Sequence, residues 1–174
     1  MNKRNISYIT ATFSGEEKEA IIDWSKIIGS EDLYFAKKDS EMEGGNVTDK
    51  LHLTLFYGFD EDKLDKDSVE KIKGEIDLKI IEIEGLGVFS LPDQDYKVIY
   101  LAVKDKDGLI NKRHEELMKF PHFEEYQKFE FIPHIAIAFV KKEFDEASID
   151  YQGPRFLHIE KIIYHSKSGK NRVS

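Results

Sequence analysis

The chain has no cysteine, which excludes disulfides, a thiol nucleophile and thiolate metal sites. It has no long uncharged apolar run, so no membrane-spanning helix is implied. Its opening, Met1-Asn2-Lys3-Arg4-Asn5, is charged and leads into a β-like segment rather than the apolar stretch of a signal peptide. Excess positive charge is missing too. The 34 acidic and 26 basic residues leave a net charge of −8, ill suited to tracking long DNA or RNA through many phosphate contacts. A small phosphate ligand held by a few local donors is compatible with that balance. No His-Glu-x-x-His, Walker glycine–lysine, dinucleotide-binding glycine or Gly-x-Ser-x-Gly pattern occurs, and no two histidines have zinc-site spacing. Neither a metal nor an organic cofactor is therefore expected. The acidic runs at 41–43 and 60–67 read as solvated faces.

What is present is a globular composition: 174 residues, 40% apolar, with twelve Phe and eight Tyr. That length suits one compact domain over residues 1–174, soluble and cytoplasmic. Residues 8–13 alternate as a half-buried strand. Ser14 and Glu17 have the spacing of a helix capping box, and the helix that follows aligns Ala20, Ile21, Trp24, Ile27 and Ile28 until Gly29. Trp24 therefore reads as core rather than as a base-stacking residue. Residues 30–49 are polar and aperiodic, the pattern of a mobile loop able to cover a site. Strands are predicted over 51–57, 78–89, 97–103, 132–140 and 156–165, and helices over 65–74 and 108–120. A polar turn at 166–170 leads to a last edge segment. Mixed strands and helices in this order mean an α+β or open α/β fold.

Two segments repeat one another. Leu51-His52-Leu53-Thr54-Leu55-Phe56-Tyr57 aligns without gaps on Pro133-His134-Ile135-Ala136-Ile137-Ala138-Phe139, with the histidines 82 positions apart, near half the chain. One β-α lobe duplicated would produce this. Side chains two apart on a strand share a face, so His52 and Thr54 point one way while Leu53, Leu55 and Tyr57 pack. The same period sets His134 and Ala136 opposite Ile135, Ile137 and Phe139. Two imidazoles suit phosphodiester cleavage, because one removes a proton from the attacking hydroxyl or water and the other delivers one to the leaving oxygen. A Thr54 hydroxyl can donate to a non-bridging phosphoryl oxygen. Of the other histidines, His114 reads as lying on the polar face of a helix and His122 in a loop, while His158 and His165 flank the last strand. His165 is within reach of the cleft but is expected at the surface. Tyr8 shares a polar strand face with Thr10 and Thr12 and is a candidate stacking platform for a base, or else a partly exposed structural residue.

His-Leu-Thr-Leu at 52–55 and Pro-His-Ile-Ala-Ile at 133–137 resemble the paired His-x-Thr/Ser motifs of the 2H phosphoesterase superfamily. The resemblance implies a bilobal β/α fold with pseudo-twofold symmetry. Two antiparallel or mixed sheets would face a central cleft, with helices outside and no metal requirement. It implies His52 and His134 as the acid/base pair and Thr54 as a phosphate ligand. Within that superfamily the chain resembles the phage anti-CBASS nucleases at 50–58, 96–101, 131–134 and 138–140. This implies cyclic di- or trinucleotide substrates, immune evasion, and residence in the host-cell cytoplasm. RNA 2′,3′-cyclic phosphate ends are the alternative substrate.

Ala136 departs from the motif, since a methyl group cannot donate the hydrogen bond of Thr or Ser. Losing one such donor costs on the order of 1–3 kcal/mol. Three explanations compete. Another donor (a backbone N–H, Ser166 or Lys167) stands in, the alanine is an introduced substitution, or the protein is a sponge that binds cyclic nucleotides without cleaving them well.

Overall fold

The computed structural model describes residues 5–38, 41–74 and 78–167. In chain order the elements are β1 (Ile6–Phe13), α1 (Glu16–Ser25), β2 (Phe35–Lys38), β3 (Glu41–Gly44) and β4 (His52–Asp60). Then follow α2 (Lys66–Ile72), β5 (Ile80–Ser90), β6 (Tyr96–Lys104), α3 (Leu109–Leu117), β7 (His134–Lys141) and β8 (Phe156–His165). Six strands make one antiparallel sheet in the order β4-β1-β8-β5-β6-β7.

Strand β8 joins two three-stranded halves. Its later residues, Ile159 to His165, pair with β1, and its first three, Phe156 to His158, pair with β5. The two ends of the strand order meet, because β4 and β7 lie against each other. α1 packs on β8 and α3 on β4, so the expected bilobal α+β arrangement holds, with its lobes fused through β8 into a single sheet. Alternation explains the inner face: Ile9, Leu53, Leu101 and Ile135, one from each of four strands, are at most 1% exposed and share one apolar cluster.

Three local predictions need correction. Ser14 does not cap α1: Gly15 occupies the N-cap with φ 85°, a conformation open to glycine, and Glu17 instead accepts from His158 Nδ1 at 2.7 Å. The helix ends at Ser25, where the hydroxyl bonds back to the Ile22 carbonyl at 2.6 Å, so Ile27 is left 55% exposed. Trp24 is partly buried against the core as predicted, with Nε1 donating to the Asp150 carbonyl. Residues 30–49 hold more order than their composition suggests. β2 and β3 pair as a hairpin whose ends are stitched to β7 by bridges from Leu33 to Val140 and from Asn46 to Ala138; residues 39 and 40 lie outside the description. The final edge segment expected after 166–170 also lies outside the described residues.

Burial sets the stability expectation. Leu53→Ala removes a side chain 1% exposed and should cost about 2–5 kcal/mol in urea denaturation. Phe129→Ala, at a site 79% exposed, should stay within about 0.5 kcal/mol, and equal losses at the two positions would contradict this core.

Candidate active site

His52 opens β4 and His134 opens β7, each on the outer strand of its half of the sheet. Across the ladder His52 faces Thr12 and Thr54 faces Thr10; in the other half His134 faces Ala102 and Ala136 faces Tyr100. Each imidazole is fixed in the same way. Nδ1 of His52 lies 2.8 Å from the Lys50 carbonyl, and Nδ1 of His134 lies 2.7 Å from the Ile132 carbonyl, both two residues back. A carbonyl oxygen only accepts, so each Nδ1 carries a hydrogen and each neutral ring keeps its basic lone pair on Nε2.

The rings are also near enough to sense one another. Burial holds His134 below the ordinary imidazole value of 6.5, the charge of His52 adds to the depression, and the Ile132 carbonyl opposes it. A neutral His134 is suited to take a proton.

Both histidine strands carry a bulge at the same offset. Ile9 pairs with Phe56 and Thr10 with Thr54, leaving Leu55 as the extra residue; Ile99 pairs with Ala138 and Tyr100 with Ala136, leaving Ile137. Each bulge lies three residues after its histidine, a structural echo of the sequence repeat. It also overturns two face assignments. Tyr57, predicted to pack, returns to the His52 side and is 39% exposed, with its ring 5.3 Å from that of Tyr8. Phe139 likewise moves to the face of His134 and packs on Tyr96, because the bulge reverses the alternation. Gly58 follows at φ 111° where a second irregularity falls, and a Cβ there would press on Tyr126.

Two hollows flank the histidine pair. The one beside His134, about 540 Å³, is lined by Thr54, Tyr57, Phe89, His114, Phe131 and Tyr126 among others. Its floor is aromatic: Phe89 stands edge-on to His134 at 4.8 Å and stacks on Tyr100 at 4.2 Å. Tyr100 lies across Gly87, where any Cβ would collide with the ring. His114 stacks on Phe131 at 3.9 Å and bonds the Leu55 carbonyl through Nδ1. It is therefore on the inner face of α3 and not the polar one, in line with Ile110 four residues before and Leu117 three after.

The second hollow, about 430 Å³, lies beside His52 and mixes Tyr8, Phe13, Leu51 and Ile163 with Thr10, Thr12, His165 and the three lysines Lys18, Lys50 and Lys161. His165 is not a surface residue. Its Nε2 is 3.0 Å from Thr10 Oγ1, and Tyr8 stacks on it at 4.3 Å and 7°. Tyr8 thus lines the cleft, with its ring already covered by His165 on one side. A larger hollow of about 730 Å³, lined by Ile83, Ile99, Glu146 and Tyr151, lies outside the cleft and holds none of these histidines.

Ser166 does not replace the hydroxyl missing at Ala136. It is 7% exposed and donates to Glu61, in a buried group where Tyr164 bonds Ser7 at 2.7 Å. Lys167 is exposed and makes no contact with the histidine pair that is described. His122 and His158 are engaged elsewhere, with Phe120 and Glu17. Among the described residues no three His, Asp or Glu side chains group as metal ligands, and no helix is long and apolar enough to cross a membrane.

A six-stranded antiparallel sheet whose two end strands lie against each other, each opening on a matched histidine, is the arrangement expected of the two-histidine phosphoesterase class. The sequence profile of the 2′-5′ RNA ligase superfamily matches residues 47–150, and the chain belongs to that superfamily. Its fold is similar to that of E. coli LigT complexed with 3′-AMP, at 15% identity and a TM-score of 0.58 over 95% of this chain and 88% of that one. It is also similar to a crystal structure of a phosphoesterase, at 16% identity and a TM-score of 0.53 over 94% and 88% of the two chains. No curated protein matches it by sequence.

Burial depresses His114, His134 and His165 alike. The unfolded chain takes up these protons at higher pH than the folded one, so the stabilisation is complete above 6.5 and lost as pH falls through the lowered folded values. The thermal midpoint should therefore decline below pH 6.5, less steeply in His114→Gln; a flat profile there would contradict the burial of these rings.

Proposed function

We propose that this chain is a metal-independent phosphodiesterase that opens 3′-5′ linked cyclic oligonucleotides, with His52 and His134 as its acid/base pair. The observation that carries the reading is the matched anchoring of the two imidazoles, each with Nδ1 bonded to the carbonyl two residues before it. His134, held below its ordinary pKa by burial, takes the proton from a ribose 2′-hydroxyl. The 2′-oxygen attacks the adjacent phosphorus, the bond from phosphorus to the 5′-oxygen breaks, and protonated His52 supplies that oxygen with its proton. The products are a 2′,3′-cyclic phosphate and a free 5′-hydroxyl. Thr54 donates to a non-bridging oxygen, where charge is held in the transition state.

The aromatic hollow beside His134 has the chemistry to hold a nucleobase, and the lysine-bordered one beside His52 suits sugar and phosphate. LigT in its complex holds 3′-AMP, a nucleotide of the class this cleft would take. A net charge of −8 favours a compact substrate over long RNA. Cyclic di- and trinucleotides of bacterial immunity fit that description, and the resemblance to phage anti-CBASS nucleases gives the reading its biological setting, evasion of host defence in the cytoplasm.

Cyclic di- and trinucleotides incubated with the chain in EDTA should yield linear products. His52→Ala and His134→Ala should each lower the rate about 10²–10⁴-fold. Activity that disappears with the chelator and returns with a divalent ion would contradict the mechanism. One observation favours a second reading: Ser166, a candidate to replace the hydroxyl lost at Ala136, is committed to Glu61 instead. A sponge would release its cyclic nucleotide intact after tight binding, and Ala136→Thr should then confer turnover.

A further inference from the structure

The hollow beside His52 contains more cationic chemistry than one scissile phosphate needs. Lys18 reaches it from α1, Lys50 from the turn before β4, and Lys161 from β8. Five lysines elsewhere are ion-paired, Lys26 with Asp23, Lys63 with Asp60, Lys73 with Glu70, Lys97 with Glu146 and Lys104 with Glu82, while others such as Lys66, Lys112 and Lys128 stand scattered; among the described residues, only here do three border one hollow beside a histidine of the pair. Lys18, Lys50 and Lys161 form no ion pair among the described residues. Asp49 and Glu160 also border the hollow, both exposed, and neither comes within ion-pairing distance of the three.

Hydroxyl groups line the same floor. Thr10 and Thr12 stand opposite Thr54 and His52 in the ladder; Thr12 Oγ1 donates to the Lys161 carbonyl at 3.4 Å and so ties β1 to the strand that carries that lysine. His165 is held there by Thr10 Oγ1 at 3.0 Å and by the parallel Tyr8 ring, an imidazole fixed in place rather than free to swing. Three unpaired ammonium groups around one hollow are the chemistry of an oxyanion ligand, since each can contribute a charge-assisted hydrogen bond. The wall shared with His52 puts that oxyanion next to the cleavage point.

Resting on the reading of the cleft as a phosphodiesterase site, we propose that this hollow is a subsite for a second phosphate, one nucleoside away from the phosphate between His52 and His134. The substrate then carries two consecutive phosphates, as cyclic and linear oligonucleotides do. A single nucleoside 2′,3′-cyclic phosphate leaves the lysines unused and is a poor substrate.

Consecutive phosphates of a chain sit on the 3′ and 5′ oxygens of one nucleoside, so two small probes suffice. Adenosine 3′-monophosphate and adenosine 3′,5′-bisphosphate are titrated calorimetrically into the full chain. The bisphosphate should bind on the order of tenfold more tightly, the advantage shrinking as salt is added. In the double variant Lys18→Ala with Lys161→Ala, its melting curve checked first, the ratio should fall toward one. Lys26→Ala, on the exposed face of the chain and paired with Asp23, should leave the ratio as it is. Equal affinities for the two probes in the unaltered chain, or a ratio that survives loss of both lysines, would overturn the subsite while leaving the two-histidine reading intact. Binding of neither nucleotide would overturn both.

Discussion

Two backbone carbonyls, those of Lys50 and Ile132, determine what the cleft can do. A histidine at the start of a strand ordinarily has two tautomers and a ring free to turn. The hydrogen bond from each Nδ1 removes both freedoms at once and leaves the lone pair of the neutral ring on Nε2. Each anchor is the residue two positions back along the same chain, so it needs no contact from the opposing half of the sheet. What the rest of the architecture must then do is bring the first residue of β4 near the first residue of β7. A sheet whose terminal strands close on one another does this, with β8 as the shared strand that lets two three-stranded halves fold together.

The two halves are alike in backbone and unlike in chemistry. Bulges three residues after each histidine reverse the alternation and turn Tyr57 and Phe139 toward the histidine side. The side chains across from the histidine strands then diverge. Thr12 and Thr10 make one wall polar, while Ala102, Tyr100 and the Phe89 ring make the other apolar. The two sides of the histidine strands therefore differ in chemistry, aromatic beside His134 and bordered by lysines beside His52. Ala136 falls on the apolar wall, opposite Tyr100, so the loss of its hydroxyl is in keeping with the surroundings of that strand.

Much of this is legible in the residues. The gapless repeat places both histidines on strand starts, and the strand period sets Thr54 beside His52. All the long strands fall where apolar alternation and turn residues put them. The site beyond the histidines is harder to read, for physical reasons. A bulge shifts the face of every later side chain, and nothing in Leu-Thr-Leu-Phe-Tyr announces an extra residue, so by simple alternation Tyr57 reads as packing. His114 carries a usable signal in its spacing from Ile110 and Leu117, masked by the charged residues around it. The gathering of Lys18, Lys50, Lys161 and His165 depends on the pairing of β1 with both β4 and β8, a long-range register that no local pattern encodes.

The central claim is that both Nε2 atoms address one phosphate. ¹⁵N-labelled imidazole spectra, recorded while inorganic phosphate is titrated into the chain, test it without requiring turnover. The account predicts that His52 and His134 both begin with protonated Nδ1, and that both Nε2 resonances shift together with one binding constant. Movement of one ring alone, two separate constants, or a ring that begins in the other tautomer would contradict it.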